Sequence, residues 1–468
     1  MNKQHCLLGH MNFHLPRALL RAALAFVLLG TSLHCGAQES TPIPDGRQIA
    51  ASIKYQFAIY YLGQPAKPPL QALQSQIKAL PHPLKLVSGV SEKPNAPLVA
   101  ATLEKNVQSA YAPPGLDMLQ RFGRGLTRDQ AVAMQSSEQA LILDFAHPAS
   151  FSFTAYRSAL TLTEQVARDT SGLIWDEETR EVFSPEEWHK RRLDTWDGDI
   201  PNALMHTVIH AYKGDRLVRA ITLGMAKFGL PDVVVDDFSW SENRPMGNLI
   251  NLLSQALVEG AVVGPRGSYD LDIHQVKHAA VRRSHLDTLK PNTTAIAKLV
   301  LVTGIPDEGD PHNRLVEIRF DRTAGPDRHA QQAALLSSLF GSEDAIKRVK
   351  HTEELLKVSE QARSKLPAVR DAFNKGLQPG EYVLVKAPFK TPGGDNEWMW
   401  VEIVSWQGDE IGGLLKNEPF DIPTLHAGQM VKVLQEDVFD YIRRSADGRE
   451  EGNETAKILE RMRGAVQH

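Results

Sequence analysis

Cysteine is almost absent from this 468-residue sequence, and the two cysteines that it contains, Cys6 and Cys35, both lie near the N-terminus. The long remainder of the chain therefore has neither a disulfide nor a thiol nucleophile. Its stability must come from the burial of apolar side chains. A chain of this length has enough of them for about two or three domains.

A strong excess of either charge is also missing. The sequence has 52 Lys and Arg against 56 Asp and Glu, which gives a formal net charge of −4. So small a net charge does not attract polyanions, and nucleic acid is not an expected partner.

Several catalytic and nucleotide-binding motifs are missing from the sequence. It contains no G-x-x-x-x-G-K-[ST], no G-x-G-x-x-G after a strand, no G-x-S-x-G, no H-E-x-x-H and no C-x-x-C. These absences argue against nucleotide-driven motors, Rossmann dehydrogenases, standard α/β-hydrolases and zincins. We expect no cofactor.

The N-terminus carries the pattern of a signal peptide. Arg17 and Arg21 precede an apolar run at residues 22–33, which is too short to span a bilayer, and small residues follow at 35–37. We expect cleavage after residue 37, so that the mature chain begins at Gln38, has no transmembrane span and is periplasmic or secreted.

A second interpretation makes the chain a membrane-anchored lipoprotein attached through Cys35. His34 argues against it, because the position before a lipidated cysteine normally carries Gly, Ala or Ser.

The apolar patterning predicts a multi-domain α+β fold. Alternating strands such as residues 53–62 are interleaved with helices such as 70–80, and residues 140–145 form a short apolar run typical of a buried strand. Hairpins are expected around residues 213–215 and between the strands at 173–175 and 182–183, and Ser184, Pro185 and Glu187 mark the start of a helix. This arrangement favours mixed or antiparallel sheets with packed helices. A small β-rich domain, either an SH3-like barrel or a curled sheet, is expected at the C-terminus. The predicted divisions are a signal peptide (1–37), an N-terminal α+β domain (48–263), a linker (264–267), a middle α+β segment with a long helix (268–376), a β-rich domain (377–444) and a charged tail (445–468).

Two histidines have a spacing that suits a metal. His274 and His278 are four residues apart, which places both imidazoles on one face if the segment is helical, where they could share a zinc ion. Without a third placed ligand, surface histidines at the start of a polar helix are the favoured interpretation.

A serine-dependent hydrolase of the penicillin-recognising type is an alternative function. Ser75 and Lys78 fit S-x-x-K, and Ser241 and Asn243 fit S-x-N, but the third motif is present only as Lys-Thr-Pro at residues 390–392. Proline there removes an N–H and blocks close backbone approach, which counts against this chemistry. A cell-envelope hydrolase, serine or metal dependent, stays as the alternative.

The C-terminal stretch contains three recurring elements: V-K-x-x-F, E-x-M-W-V-E and G-x-x-x-N-x-P. They consist of Val385, Lys386, Phe389, Glu397, Met399, Trp400, Val401, Glu402, Gly413, Asn417 and Pro419. With these elements the stretch resembles the YegJ-like bacterial domain of unknown function, the DUF2314 family. The resemblance implies no catalytic residue, ligand or cofactor.

An aromatic stripe is the strongest candidate for a ligand surface. Strict alternation places Trp398, Trp400, Glu402 and Trp406 on one face of a strand, opposite Met399, Val401 and Ile403. We expect Lys386, on the neighbouring strand, to pair with Glu402. The stripe is either core beneath a helix or a groove for a peptide, protein or glycan partner in the cell envelope. The groove interpretation makes the chain a non-catalytic exported binding protein.

Overall fold

The computed structural model describes residues 41–213, 217–341, 353–378 and 380–458. The predicted signal peptide and Cys35 lie outside the described residues.

The first sheet has seven strands in the order β2-β3-β5-β1-β6-β7-β4. Its centre is β1, which pairs antiparallel with β5 and β6, and the alternating apolar residues of β1 are buried as predicted. The elements are β1 (Ser52–Tyr60), α1 (Pro69–Ala79), β2 (Lys85–Val87), β3 (Leu98–Glu104), α2 (Val107–Ala110), α3 (Leu116–Phe122), β4 (Gly123–Arg124), α4 (Arg128–Met134), β5 (Ala140–Pro148), α5 (Ser152–Thr170), β6 (Leu173–Asp176), β7 (Glu181–Phe183) and α6 (Pro185–Trp188).

Local signals in this part of the chain work as expected. The hairpin of β6 and β7 forms, and α6 begins at Pro185 with the Ser184 hydroxyl accepting the Glu187 N–H at 3.2 Å. Helix α5 ends at Thr170, and its C-cap residue Ser171 has a left-handed φ of 56°. A side chain at Gly172 would collide with Ile59 of β1.

The second sheet has six strands in the order β10-β11-β12-β15-β14-β13. The predicted hairpin before residue 224 is confirmed as β10 and β11. The elements are β8 (Trp196–Asp197), β9 (Ile200–Pro201), α7 (Ala203–His206), β10 (Val208–Lys213), β11 (Val218–Leu223), β12 (Asp232–Phe238), α8 (Asn243–Val258), β13 (Ser268–Asp272), α9 (Ala279–Leu286), β14 (Ile296–Thr303), β15 (Leu315–Arg319) and α10 (Arg328–Phe340).

The proposed linker at residues 264–267 is a short turn inside this second sheet. Strands from both sides of it pair within the sheet, since β12 is hydrogen-bonded to β15. One cluster of buried apolar side chains also runs from Ile43 to Leu339. We therefore describe residues 41–213 and 217–341 together as the body.

The C-terminal part, residues 353–378 and 380–458, is called the module here. It is a six-stranded sheet in the order β19-β18-β17-β16-β20-β21 with a long helix packed on it. The sheet is open, because among the described strands β19 and β21 stay at opposite edges, so the barrel alternative is wrong. The elements are α11 (Glu353–Asn374), β16 (Tyr382–Lys390), β17 (Asn396–Gln407), β18 (Glu410–Leu415), β19 (Met430–Leu434), β20 (Asp440–Arg444) and β21 (Glu450–Gly452).

Helix α11 belongs to the core of the module. Ala362, Leu366 and Val369 pack with the buried residues of the sheet, and the helix continues through Pro367. Pro367 is exposed, so water can satisfy the carbonyl that its missing N–H leaves without a partner.

The first part of the charged tail has regular secondary structure. Strand β21 extends the sheet by pairing with β20, and residues 454–458 are helical. Thr455 anchors that turn, since its N–H and hydroxyl both donate to the buried Asp440 carboxylate.

Across the described ranges, every helix is too short or too polar to cross a bilayer.

Candidate functional site

The aromatic stripe of β17 is divided between the two faces of the module sheet. We call the face that carries Met399 and Val401 and packs on α11 the inner face, and the opposite one the outer face. A bulge between Ile403 and Ser405 inserts an extra residue into β17. The alternation therefore shifts by one, and Trp406 turns to the inner face. The prediction that Trp406 shares a face with the other two tryptophans is wrong.

Trp406 is part of the core of the module. It is 4% exposed and packs with Phe373 of α11, with the ring centroids 6.4 Å apart. Its indole N–H has no acceptor among the described residues.

Trp398 and Trp400 lie on the outer face, and both are half-buried. The ring of Trp398 packs on Phe439, with 4.6 Å between the centroids. The ammonium of Lys386 lies over the ring of Trp400, 5.6 Å from its centroid, which is within the range of a cation–π contact.

Lys386 does not form the predicted pair with Glu402. Its register partner is Trp400, whereas Leu384 lies opposite Glu402. Burial lowers the pKa of Lys386, and the Asp440 carboxylate acts in the opposite direction. Lys386 and Trp400 therefore form one half-buried unit on the outer face.

Glu402 is 3% exposed and is used in a contact with the body. Its carboxylate accepts the backbone N–H of Ser241 at 3.2 Å and also the hydroxyl of Ser241. The Nζ of Lys416 lies 3.7 Å from the same carboxylate. These groups compensate the buried charge of Glu402, for which Lys386 was the predicted partner.

Lys416 links both sides of this contact. Its ammonium lies 2.8 Å from the Glu242 carboxylate and donates to the Ser239 hydroxyl at 3.2 Å. Burial lowers the pKa of Lys416, but Glu242 and Glu402 outweigh burial and raise it overall. The same ammonium lowers the pKa of Glu242. Lys416 was not predicted as a site residue. Its position between Gly413 and Asn417 in the third recurring element could have identified it.

Three further residues of the recurring elements hold the loop after β18. Glu397 accepts the backbone N–H groups of Phe420 and Asp421 at 2.7 and 3.1 Å, and the Asn417 side chain accepts the Trp400 N–H at 2.6 Å. Gly413 lies so close to β17 that a Cβ would stand 2.1 Å from a backbone oxygen. These residues position the loop and the strands rather than a ligand.

The structure separates the two histidines proposed for zinc. His274 lies in a 3₁₀ turn and contacts Asp272 at 3.1 Å, whereas His278 caps α9. The Nε2 of His278 donates to the Thr195 carbonyl at 3.1 Å, and its Nδ1 accepts the Val281 N–H. The idea of one shared helical face is wrong, and the favoured interpretation of surface histidines holds for His274 but not for His278, which is buried. Within the described ranges, no group of three or more His, Cys, Asp or Glu could hold a metal ion.

The serine motifs are occupied in other ways. Ser75 and Lys78 are exposed on α1, Lys390 is exposed at the end of β16, and the hydroxyl of Ser241 donates to Glu402. Ser241 therefore has a carboxylate from the module, and not a lysine, as its acceptor.

Comparison with known proteins gives one match. No curated protein and no solved structure matches the chain. The C-terminal part does match the model of a protein family. The match begins at residue 361, inside α11, which agrees with the packing of that helix in the core of the module. Residues 361–465 match the model of the family DUF2314, an uncharacterized protein conserved in bacteria, and the resemblance of the C-terminal module is thereby confirmed.

Proposed function

We propose that this chain is an exported, non-catalytic bacterial protein whose module binds a peptide or glycan of the cell envelope on its outer face. The observation that carries the proposal is the half-buried pair of Lys386 and Trp400, with Trp398 two residues away on the same face. Aromatic rings with one accessible side offer a large contact area at a low cost in side-chain entropy, and sugars or proline rings stack on them.

The charge at this surface narrows the ligand class. Because the ammonium of Lys386 already lies over Trp400, a cationic ligand would meet electrostatic repulsion there. Neutral sugars and carboxylate-bearing groups suit the surface better. Trp406 and Glu402, which the sequence placed on the same surface, take no part, because one is core and the other is bound to the body.

A co-sedimentation assay tests the binding. Purified peptidoglycan sacculi, which present both glycan and peptide, are spun down with the mature protein, and decaproline binding is followed by tryptophan fluorescence. We expect Trp400→Ala and Lys386→Met to lose binding while still melting cooperatively and close to the wild type. Phe151→Ala, a change at an exposed aromatic of the body, serves as the matched control. Binding of neither probe by the wild type, or full binding by Trp400→Ala, would contradict the proposal.

The export component has its own test. Mass spectrometry of the native protein should show a chain that begins at Gln38. A lipid-modified Cys35 would instead support the lipoprotein interpretation, and an intact segment at residues 22–33 would refute export by either route.

A further inference from the structure

Helix α8 of the body lacks a cap from its own neighbourhood. A 3₁₀ turn, Trp240–Glu242, leads directly into α8, and neither the turn nor the helix has a side-chain capping bond from its own N-cap residue. The first N–H groups of a helix need acceptors, and its N-terminus favours negative charge. Glu402 of the module supplies both at the 3₁₀ turn that leads into α8, because its carboxylate accepts the Ser241 N–H of that turn.

The contacts around this turn are reciprocal. The turn offers a backbone N–H and the hydroxyl of Ser241 to the carboxylate of Glu402, and it offers the Glu242 carboxylate and the Ser239 hydroxyl to the ammonium of Lys416. Each of these contacts joins the body to the module. Glu402 and Lys416 also lie 3.7 Å apart, so each reduces the cost of burying the other.

The apolar cores of the two parts are separate. The buried cluster of the body ends at Leu339, and the cluster of the module begins at Ala362. Tyr382 of β16 packs against the body, and His426 lies 3.5 Å from Asp327 at the start of α10. Loss of the Glu402 and Lys416 contacts would therefore weaken the docking without opening either core.

We propose that Glu402 and Lys416 form a docking site that recognises the turn at residues 239–242, so that the module caps the 3₁₀ turn that leads into α8 and is latched to the body. The occupant is a Ser-x-Ser-Glu turn at a helix N-terminus. This inference is independent of the binding function, because the side chains of Lys386 and Trp400 take no part in it.

Hydrogen exchange on the full chain, followed by mass spectrometry, tests the latch. A hydrogen bond to a charged group is strong enough that its loss should raise exchange in the 239–242 segment about tenfold or more. We expect this in Glu402→Ala and in Lys416→Met. The matched controls are Glu410→Ala and Lys432→Met, which break an exposed ion pair of the same module and should leave that segment unchanged.

A second measurement protects the test against simple misfolding. Ser241→Ala is a small change at a half-buried position and should raise exchange in the same segment. Because Ser241 and Glu402 act through one contact, the double variant should exchange little faster than Glu402→Ala alone. Fully multiplicative effects of the two changes, or rates equal to those of the controls, would overturn the latch.

Discussion

Replacement of Trp406 by alanine is the sharpest test of the two-faced description of β17. Trp406 is 4% exposed and packs between the sheet and Phe373, so the change leaves a cavity in the core of the module. A buried Trp→Ala change costs about 3–5 kcal/mol, which corresponds to roughly two to nearly four orders of magnitude in the opening equilibrium of the module. Trp406→Phe should cost much less, because it keeps most of the ring and removes the buried N–H, which has no acceptor among the residues that the structure describes.

The same change at Trp400 provides the comparison. Trp400 is half-buried on the outer face, and its contact with Lys386 is of a type worth about 0.5–2 kcal/mol. Hydrogen exchange of β17 and β18 measures the loss of stability within the module for both variants. Global melting is less suitable, because a chain with several cores need not unfold in a single transition. Equal costs for Trp406→Ala and Trp400→Ala would refute the bulge and restore one uninterrupted stripe.

Three further predictions concern other parts of the chain. Burial, followed by the nearby Asp176 charge, raises the pKa of Glu178 to about 7. The folded state therefore holds a proton that the unfolded state releases near pH 4.3, so the contribution of Glu178 to stability should fall as pH rises from about 4 to about 7 and then level off, and Glu178→Gln should remove that contribution from the pH dependence of melting. Gly413→Ala should destabilise the module by about 1–3 kcal/mol in hydrogen exchange, whereas Gly412→Ala meets only a movable hydroxyl and should cost less. A fragment of residues 353–458 should give a folded circular dichroism spectrum and a cooperative melt, whereas one of 377–458 lacks α11 and should give neither.

Local patterns predicted the local structure well. Alternation identified β1 and the hairpin of β10 and β11, a short apolar run identified β5, and the Ser184 capping signal placed the start of α6. These signals work because a period of two or a cap depends only on residues close in sequence.

The bulge could not be derived in the same way. The segment from 397 to 406 has the pattern of uninterrupted alternation. An extra residue hardly changes that pattern, but it moves every side chain that follows to the opposite face. The partner of Glu402 could not be predicted from the sequence either, because Ser241 lies 161 positions earlier in the chain. Parity on a neighbouring strand correctly placed Lys386 on the same face as Glu402, but it could not show that the body covers one end of that face.

Lys386 and Lys416 show how the surroundings assign different tasks to the same side chain. Lys416 lies between the carboxylates of Glu242 and Glu402, which raise its pKa and bind it to the junction. Lys386 lies over an aromatic ring, and burial lowers its pKa. A lysine held by two carboxylates gains little from a third anion, whereas one whose charge is disfavoured by burial gains the most from an incoming carboxylate. Of the two lysines, Lys386 is therefore the one from which a carboxylate-bearing peptide or glycan would draw binding energy.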